Sequence, residues 1–182
     1  MTPQELTDTL GQIYHRARTV RQFEEGDPAD LQFVAAHFTL IDSQYAIDSY
    51  TELKEFRDFR EAYLMKIGLL QALHNQIKSV EEIGLSVNQP KKLDRLEGVA
   101  SILVTRHIVA GHPLRSNVNG TVWRHFHDRG SVHDPTVIRV MSFQASEPEN
   151  WTGRTVIVAD LLRDQATAVE RALGELLGEP AA

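Results

Sequence analysis

The stretch YLMKIGLLQALHNQIKSVEEIGLSV, Tyr63–Val87, decides the fold class because it predicts a long helix that is apolar almost all round at its start. A helix of this kind is buried inside a helical assembly, whereas a surface helix keeps one polar face. Residues 88–90 (NQP) supply the signals that end it. We therefore expect a helical bundle with this segment at its centre. Within the segment, His74, Asn75 and Lys78 predict a hydrogen-bonded polar cluster or a dimer contact.

The residues before Tyr63 predict two further helices. Thr2, Pro3 and Glu5 form an N-terminal capping pattern for the first helix, which ends before the EEGDP loop at 24–28. A long helix from about Ala29 to Phe59 follows. Its apolar positions at helical spacing, which we expect to face the core, are Leu31, Val34, Phe38, Ile41, Tyr45 and Ile47 to Ser49.

A fourth helical segment, KKLDRLEGVASILVTRHIVAG, spans residues 91–111. Gly111 is typical of the position just past a helix end, and Pro113 disfavours helical backbone at the residue before it. We therefore expect this helix to stop near Gly111 and the chain to turn sharply there.

The pattern changes after residue 118, where short runs of β-branched and aromatic residues replace the helical spacing. These runs predict a small antiparallel sheet with strands at about 121–127, 136–143 and 154–159. The stretches at 127–135 and 144–153 are expected to be the loops between them.

The last segment predicts a terminal helix at 161–177, with Asp160 as its N-cap. The fold class is therefore mainly α: a helical bundle with a small C-terminal antiparallel β-sheet and a terminal helix. We expect a single domain over 1–182, in which 1–117 form the bundle and 118–182 add the sheet and the last helix.

Composition limits the possible functions. The chain has 182 residues and no cysteine, which excludes disulfides, thiolate metal sites and cysteine nucleophiles. Its start, MTPQELTDTLGQ, lacks the basic and apolar regions of a signal peptide, and no apolar run has the length of a membrane span. We expect a cytoplasmic protein with no membrane partner.

Positive charge is concentrated in one part of an acidic chain. Residues 106–139 carry five arginines and two aspartates, a net charge of +3. Since the whole chain has a net charge of −6, the other residues together carry −9. The same window holds five of the eight histidines. A basic, histidine-rich segment suits an anion such as phosphate, and the alternative is a solvated loop with chance clustering.

Arg106 and His112 are the candidate catalytic pair at the end of the 91–111 helix. Six residues apart on a regular helix, they would point well away from each other. A sharp turn at Gly111 would let His112 share a site with Arg106. Because helix C-termini attract cations, the alternative is that both side chains only cap the helix end.

The stretch RHIVAGH, Arg106 to His112, resembles the Arg-x(4–6)-His motif of the HEPN superfamily, with five intervening residues. His107 stands where that superfamily often has Asn, Asp or His. The layout of residues 1–112 is similar, and YLMKIGLLQALHNQIKSV resembles the long helix before the motif helix in some bacterial members. Residues from about 118 onwards lie outside the common core of the superfamily.

The resemblance implies a metal-independent ribonuclease with a composite site in a homodimer. His112 would act as general acid or base on the ribose 2′-OH or the leaving 5′-oxygen, Arg106 would stabilise charge on the phosphorane, and His107 would orient or share the proton transfer. It also implies a toxin–antitoxin or phage-defence system, an antitoxin or other protein partner, and no cofactor. Since some members lack activity, the alternative is a non-catalytic module that binds a protein or a nucleotide.

A second histidine cluster follows on the first predicted strand. His125 and His127 share one face because side chains alternate along a strand. Two imidazoles there are compatible with a metal site completed by His133 or Asp134, although we predict no metal. A solvent-facing strand surface is another alternative. The predicted RNA- or phosphate-binding residues are Arg115, Arg124, His125, His127 and Arg129.

Overall fold

The computed structural model describes residues 1–20, 22–93, 97–111, 116–118 and 121–178. Within these residues the chain is mainly helical, with a small antiparallel sheet followed by a C-terminal helix. The helices are α1 (Pro3–Thr19), α2 (Pro28–Thr51), α3 (Phe59–Ser86), α4 (Glu97–Arg106) and α5 (Val158–Leu177). The strands are β1 (Ser116–Val118), β2 (Thr121–His127), β3 (Val137–Gln144) and β4 (Glu147–Ile157). None of the described helices has the length and apolar character that crossing a membrane requires.

α3 is the central helix, as the stretch Tyr63–Val87 predicts: it packs against α2, α4 and α5. The Asp58 side chain caps its start by accepting a hydrogen bond from the backbone N–H of Glu61 at 2.9 Å. Near its end only glycine fits at position 84, because a Cβ on Gly84 would lie 2.7 Å from the carbonyl oxygen of Gln89. The chain after α3 can therefore pass close to the helix only because residue 84 has no side chain.

The capping pattern predicted for the first helix is confirmed. The Thr2 hydroxyl accepts a hydrogen bond from the backbone N–H of Glu5 at 3.2 Å, and the Glu5 carboxylate accepts one from the N–H of Thr2 at 2.7 Å. These bonds satisfy donors that a helix start leaves unpaired. The last turn of α1 contacts the end of α5, where the Arg16 guanidinium donates to the carbonyl oxygen of Leu177.

α2 corrects two predictions. It ends at Thr51 instead of Phe59, and residues 52–58 connect it to α3. The predicted core face is wrong for Leu31, Phe38 and Tyr45, which are 60%, 63% and 58% exposed. It is right for Ile47, which is buried, and for Ile41, which packs against the core. The residues that α2 buries are Asp30, Phe33, Ala36, Leu40, Ser43, Ile47 and Tyr50. Because both faces carry apolar residues, helical spacing alone does not determine which face is buried.

The segment predicted as a helix at 91–111 forms α4 and continues past Arg106 as a π-helical turn, His107–Gly111. Helical backbone therefore extends to Gly111, as predicted. π-Helical turns are rare and are found frequently at functional sites. The sharp turn expected after Gly111, and His112 with it, lie outside the described residues.

The strands pair antiparallel in the order β1-β2-β3-β4. The predicted strands correspond to β2, β3 and the second half of β4, while β1 was not predicted. The predicted loop at 144–153 is wrong, because β4 begins at Glu147 and only Ala145 and Ser146 separate it from β3. α5 begins at Val158 without a side-chain cap, so Asp160 lies in its first turn and is not the N-cap. A carboxylate in the first turn still stabilises the positive end of the helix dipole.

The sheet packs one face, which we call the inner face, against the helices. Ile138 and Val140 on this face are buried in the same core as the helices. Arg154, also on the inner face, donates to the Ser101 hydroxyl of α4 at 2.7 Å. Because side chains alternate along each strand, every second residue points to the opposite, outer face. Trp151 on the outer face is 49% exposed.

Candidate functional site

A cleft of about 720 Å³ opens where α3, the end of α4 and β2 meet. Clefts that hold small ligands measure roughly 300–1,000 Å³. The residues that line this cleft are His74, Leu103, Val104, Arg106, His107, Ile108, Trp123 and His125. Three imidazoles and one guanidinium therefore share a cleft that has an apolar wall.

Arg106 is the last residue of α4, and α3 holds its guanidinium from one side. Its Nη2 donates to Oε1 of Gln71 at 3.1 Å, and Nε2 of Gln71 donates to Oδ1 of Asn75 at 2.7 Å. The Nε of Arg106 is buried without a hydrogen-bond partner among the described residues. A buried charged donor that lacks a partner is costly, so a bound anion would stabilise this group.

His74 lies on α3, three residues after Gln71 and therefore on the same side of the helix. Its Nδ1 is buried and also has no partner among the described residues. Burial lowers the pKa of His74, and the positive charges of Arg106 and Lys78 lower this pKa further. The imidazole of His74 is therefore neutral at neutral pH and able to accept a proton.

His125 projects from the inner face of β2 into the cleft. Its Nδ1 lies 2.8 Å from the hydroxyl oxygen of Ser142, the residue directly opposite on β3. This hydrogen bond fixes the orientation of the ring. Burial lowers the pKa of His125, and nearby His107 lowers it further. Trp123, two residues earlier on the same face, gives the cleft an aromatic wall.

His107 is the first residue of the π-helical turn, and it is exposed at the cleft. The ring of His107 lies close enough to His125 to lower the pKa of His125 through its charge. The cleft therefore places two neighbouring imidazoles beside the guanidinium of Arg106.

The structure brings together three of the predicted site residues, because Arg106, His107 and His125 all line the cleft. The end of α4 supplies the first two, and β2 supplies the third. Three other predicted residues lie outside the description, namely His112, Arg115 and the side chain of His127. The distance between Arg106 and His112, on which the predicted catalytic pair depends, thus stays a prediction.

Arg124 and Arg129, which were predicted to extend the same phosphate-binding surface, do not line the cleft. Arg124 alternates with His125 on β2 and projects from the outer face. The guanidinium of Arg129 lies 5.9 Å from the ring of Phe59, at the start of α3. Phe59 is about 18 Å along the helix axis from Gln71, the residue that contacts Arg106, at 1.5 Å per residue.

Sequence reasoning missed His74 and Trp123 as cleft residues. His74 was assigned to a hydrogen-bonded cluster, yet its Nδ1 is unpartnered among the described residues while Asn75 and Lys78 have partners. The sequence signal that could have identified His74 is its position as an imidazole among apolar residues of a helix that is predicted to be buried. For Trp123 the signal was its position two residues before His125 on a strand, which places both on one face.

The described residues contain no group of three or more His, Asp or Glu side chains placed to hold a metal ion.

Comparisons of the chain with protein-family models, with curated proteins and with solved structures find no match.

Proposed function

We propose that the chain is a HEPN-like RNA-binding protein and a metal-independent ribonuclease whose site is the cleft at Arg106. The observation that carries the proposal is that Arg106, His107 and His125 line one cleft together with His74. A guanidinium and several imidazoles are groups suited to phosphodiester cleavage without a metal. The resemblance of RHIVAGH to the HEPN motif supports the same class of reaction.

The proposed reaction is an attack of RNA on its own backbone. A neutral imidazole accepts the proton of the ribose 2′-OH, and the 2′-oxygen forms a bond to phosphorus while the bond from phosphorus to the 5′-oxygen breaks. A protonated imidazole gives its proton to this leaving oxygen. The products are a 2′,3′-cyclic phosphate and a 5′-hydroxyl, so atoms and protons balance without an added water molecule.

The environments of the imidazoles suggest their roles. His125 suits the base, because Ser142 orients its ring and its lowered pKa keeps it neutral. His107 suits the acid, because its exposed ring lines the cleft together with His125. The HEPN resemblance assigns acid or base chemistry to His112 as well. Arg106 would stabilise the phosphorane through the forked donors of its guanidinium.

The aromatic wall favours single-stranded RNA as the substrate. A base stacks on an indole ring such as that of Trp123 only when it is not covered by its neighbours in a duplex. The cleft volume of about 720 Å³ is compatible with a nucleotide unit whose phosphate approaches Arg106.

The resemblance extends the proposal to a cytoplasmic homodimer of the toxin–antitoxin or phage-defence type, with an antitoxin as protein partner. In such a dimer Arg106 and His112 of both chains would lie near the interface. Sedimentation at the concentrations used for activity tests this part. A monomer that cleaves RNA would contradict the composite site and leave the chemistry of the cleft in place.

Incubation with single-stranded RNA in the presence of EDTA tests the reaction itself. We expect cleavage with 2′,3′-cyclic phosphate ends. His107→Ala and His125→Ala should each lower the rate by about 100-fold or more. Arg106→Lys should lower it by a similar factor, about 100-fold, because lysine keeps the charge and loses the fork.

The matched control is His15→Ala, which removes an exposed histidine on α1 far along the chain from the cleft. This variant should cleave at the wild-type rate, and circular dichroism should show the same helix content for all variants. Cleavage that EDTA abolishes, or that survives the three cleft substitutions, would overturn the ribonuclease proposal.

The second candidate is a non-catalytic module that binds a nucleotide. It is favoured by the apolar wall of the cleft, formed by Leu103, Val104 and Ile108 beside Trp123. On this proposal nucleotides quench the fluorescence of Trp123, Arg106→Ala weakens their binding, and RNA stays intact. Intact RNA together with saturable binding would therefore decide for this candidate.

A further inference from the structure

A second cavity, of about 200 Å³, lies between α1, α2, α3 and α5. It shares no lining residue with the cleft at Arg106. Gln76, which lines this cavity, follows His74 of the cleft by two residues and so lies on nearly the opposite side of α3. Because a cavity of about 150 Å³ in a protein core can hold a benzene molecule, this one has room for a compact organic molecule.

Three glutamine amides along the cavity form one chain of hydrogen bonds that ends at a carboxylate. Nε2 of Gln165 donates to the carbonyl oxygen of Leu73 at 2.9 Å and to Oε1 of Gln76 at 3.3 Å. Nε2 of Gln76 donates to Oε1 of Gln44 at 2.8 Å, and Nε2 of Gln44 donates to Oδ1 of Asp48 at 2.7 Å. All of these residues line the cavity.

Asp48 fixes the direction of this chain, because a carboxylate only accepts hydrogen bonds. Gln44 therefore turns its NH2 group to Asp48 and its oxygen to Gln76, and the other two amides follow in the same sense. Oε1 of Gln165 is left at the far end, where it has no partner among the described residues although Gln165 is only 1% exposed. Since a buried acceptor without a donor is costly, this end of the chain requires a hydrogen-bond donor.

The charged side chains of the cavity are carboxylates. Asp48 and Glu170 line it, whereas no lysine, arginine or histidine of the described chain does so. Glu170 already holds a primary ammonium group, that of the N-terminus at Met1, at 3.0 Å. Asp48 is half-buried and has no ion pair within the described ranges. The charge that remains is negative, which disfavours an anion in the cavity and favours a cation.

We propose that this cavity binds a small molecule that carries a primary ammonium group on a compact apolar body. The ammonium group donates to Oε1 of Gln165, and Asp48 stabilises its charge. The body packs on the apolar part of the wall, to which Ile47, Leu162 and Val169 belong. A water molecule could donate to Gln165, but it would use neither the apolar wall nor the negative charge. The proposal is independent of the ribonuclease.

Three probes with the same ring separate the contributions of charge and donor: benzylamine, benzyl alcohol and benzoate. Each is titrated into the full chain while the NMR signals of the backbone and side-chain amides are recorded. We expect benzylamine to shift the side-chain amide signals of Gln165 and Gln76 with saturation, with a Kd of about 1 mM or lower. Benzyl alcohol, a donor without charge, should bind at least about fivefold more weakly. Benzoate should cause no shift of these signals.

Two substitutions place the ligand. Asp48→Asn keeps an oxygen that can accept from Gln44 and removes the charge, so it should weaken benzylamine by about fivefold or more and leave benzyl alcohol unchanged. The matched control is Asp42→Asn, which changes an exposed aspartate of the same helix that does not line the cavity. Ala166→Phe puts a ring at an exposed position of the cavity wall on α5, where folding is preserved, and should abolish the binding of both probes.

Selective binding of benzylamine that Asp48→Asn weakens and Asp42→Asn leaves intact would support the ammonium site. Equal affinity for benzylamine and benzyl alcohol would refute the role of the charge and overturn the proposal. Binding of benzylamine that survives Ala166→Phe would place the ligand elsewhere on the protein. Without any saturable shift by benzylamine, the cavity would be a place for water alone, and the ammonium site would be refuted.

Discussion

Lys66 is a charged residue that the fold buries completely. Its side chain is 0% exposed on α3, and its Nζ donates to the carbonyl oxygen of Ser131 at 3.0 Å. The Nζ also lies 5.9 Å from the ring of Phe56. Burial lowers the pKa of Lys66 to about 8, while Asp134 and Asp128 oppose this shift. The residue ties the connection between β2 and β3 to the central helix.

Lys66 should make the protein more stable as the pH rises above 8. Folding lowers the pKa of Lys66 from 10.5 to about 8, so between these values the unfolded chain holds a proton that the folded chain has lost. The free energy of unfolding therefore increases with pH in this window, by about 1–3 kcal/mol. Above it Tyr50 acts in the opposite sense, because burial raises its pKa.

Denaturant titrations of the wild type and of Lys66→Met at a series of pH values measure this effect. The difference between the two proteins isolates Lys66 from other groups that titrate in the same range. If the free energy of unfolding changed with pH in the same way in the wild type and in Lys66→Met, from neutral pH to the titration of tyrosine, the lowered pKa of Lys66 would be contradicted.

At the level of elements, α2 shows where sequence patterns are ambiguous. Phe33, Leu40 and Ile47 repeat every seven residues on the buried face, while Leu31, Phe38 and Tyr45 repeat every seven residues on the exposed face. The two rows are two residues apart and so lie on nearly opposite sides of the helix. Either row predicts a core face, and only the neighbours of α2 decide between them.

Substitutions in the two rows should differ in their effect on the free energy of unfolding. Phe33 packs against Tyr14 and Phe23, with ring centroids 5.2 Å and 6.0 Å away, and is fully buried. Phe33→Ala is therefore expected to lower the free energy of unfolding by about 3–5 kcal/mol. Phe38→Ala, on the exposed row, should change it by less than about 0.5 kcal/mol. Urea denaturation measures both, and equal effects would show that the face is assigned wrongly.

Two glycines of α3 give a second matched pair. Gly68 is exposed, and a Cβ there meets nothing within 4 Å, so Gly68→Ala should raise the free energy of unfolding by about 0.5–1 kcal/mol. Gly84→Ala would press a methyl group against the carbonyl oxygen of Gln89 and should lower it by about 1–3 kcal/mol. Thermal denaturation distinguishes the two signs. Stabilisation by both substitutions would refute the close approach after α3.

The sheet was predicted less well than the helices for a local reason. The stretch 144–153 was expected to be a loop, yet β4 begins within it and contains Pro148 and Gly153. β4 is an edge strand, where a missing N–H costs no ladder bond, and its register with β3 shifts between Phe143 and Gln144. The edge position of β4 and its irregular register with the neighbouring β3 are properties of the assembled sheet, and turn-forming residues in the sequence do not reveal them.

For the molecule as a whole, one core joins parts that are far apart in the chain. Val140 of the sheet, Leu173 of α5 and Leu10 of α1 belong to the same buried cluster. Tyr50 adds a polar tie, since its hydroxyl donates to the carbonyl oxygen of Pro135 at 2.9 Å. The sheet thus packs on the helices as a part of one folding unit.

The helices and the sheet should therefore unfold together. Circular dichroism in the far ultraviolet reports the helices, while both tryptophans, Trp123 and Trp151, lie in the sheet and report it by fluorescence. Because all elements share one core, the two signals should change at the same denaturant concentration. Loss of the fluorescence signal before the helical signal would show that the sheet is an independent unit.

The candidate site combines residues from distant parts of the chain, and the sequence predicted only some of them. Arg106 and His107 were found because they are adjacent at a helix end, and His125 because of its strand pattern. Placing Arg124 on the same surface was wrong, since strand alternation sends it to the opposite face. His74 comes from a helix distant in sequence and joins the cleft only through packing, which the spacing of residues along the chain does not reveal.

The edge position of β4 has a consequence for how the protein behaves when it is concentrated. The free edge of a sheet can recruit a strand from another molecule and seed fibrils. Here the exposed first half of that edge carries Pro148, which offers no amide hydrogen, between the carboxylates of Glu147 and Glu149. A strand from another copy could not form a hydrogen bond to the nitrogen of Pro148, and its own glutamates would be repelled by Glu147 and Glu149. This short acidic stretch therefore disfavours aggregation through the edge of the sheet.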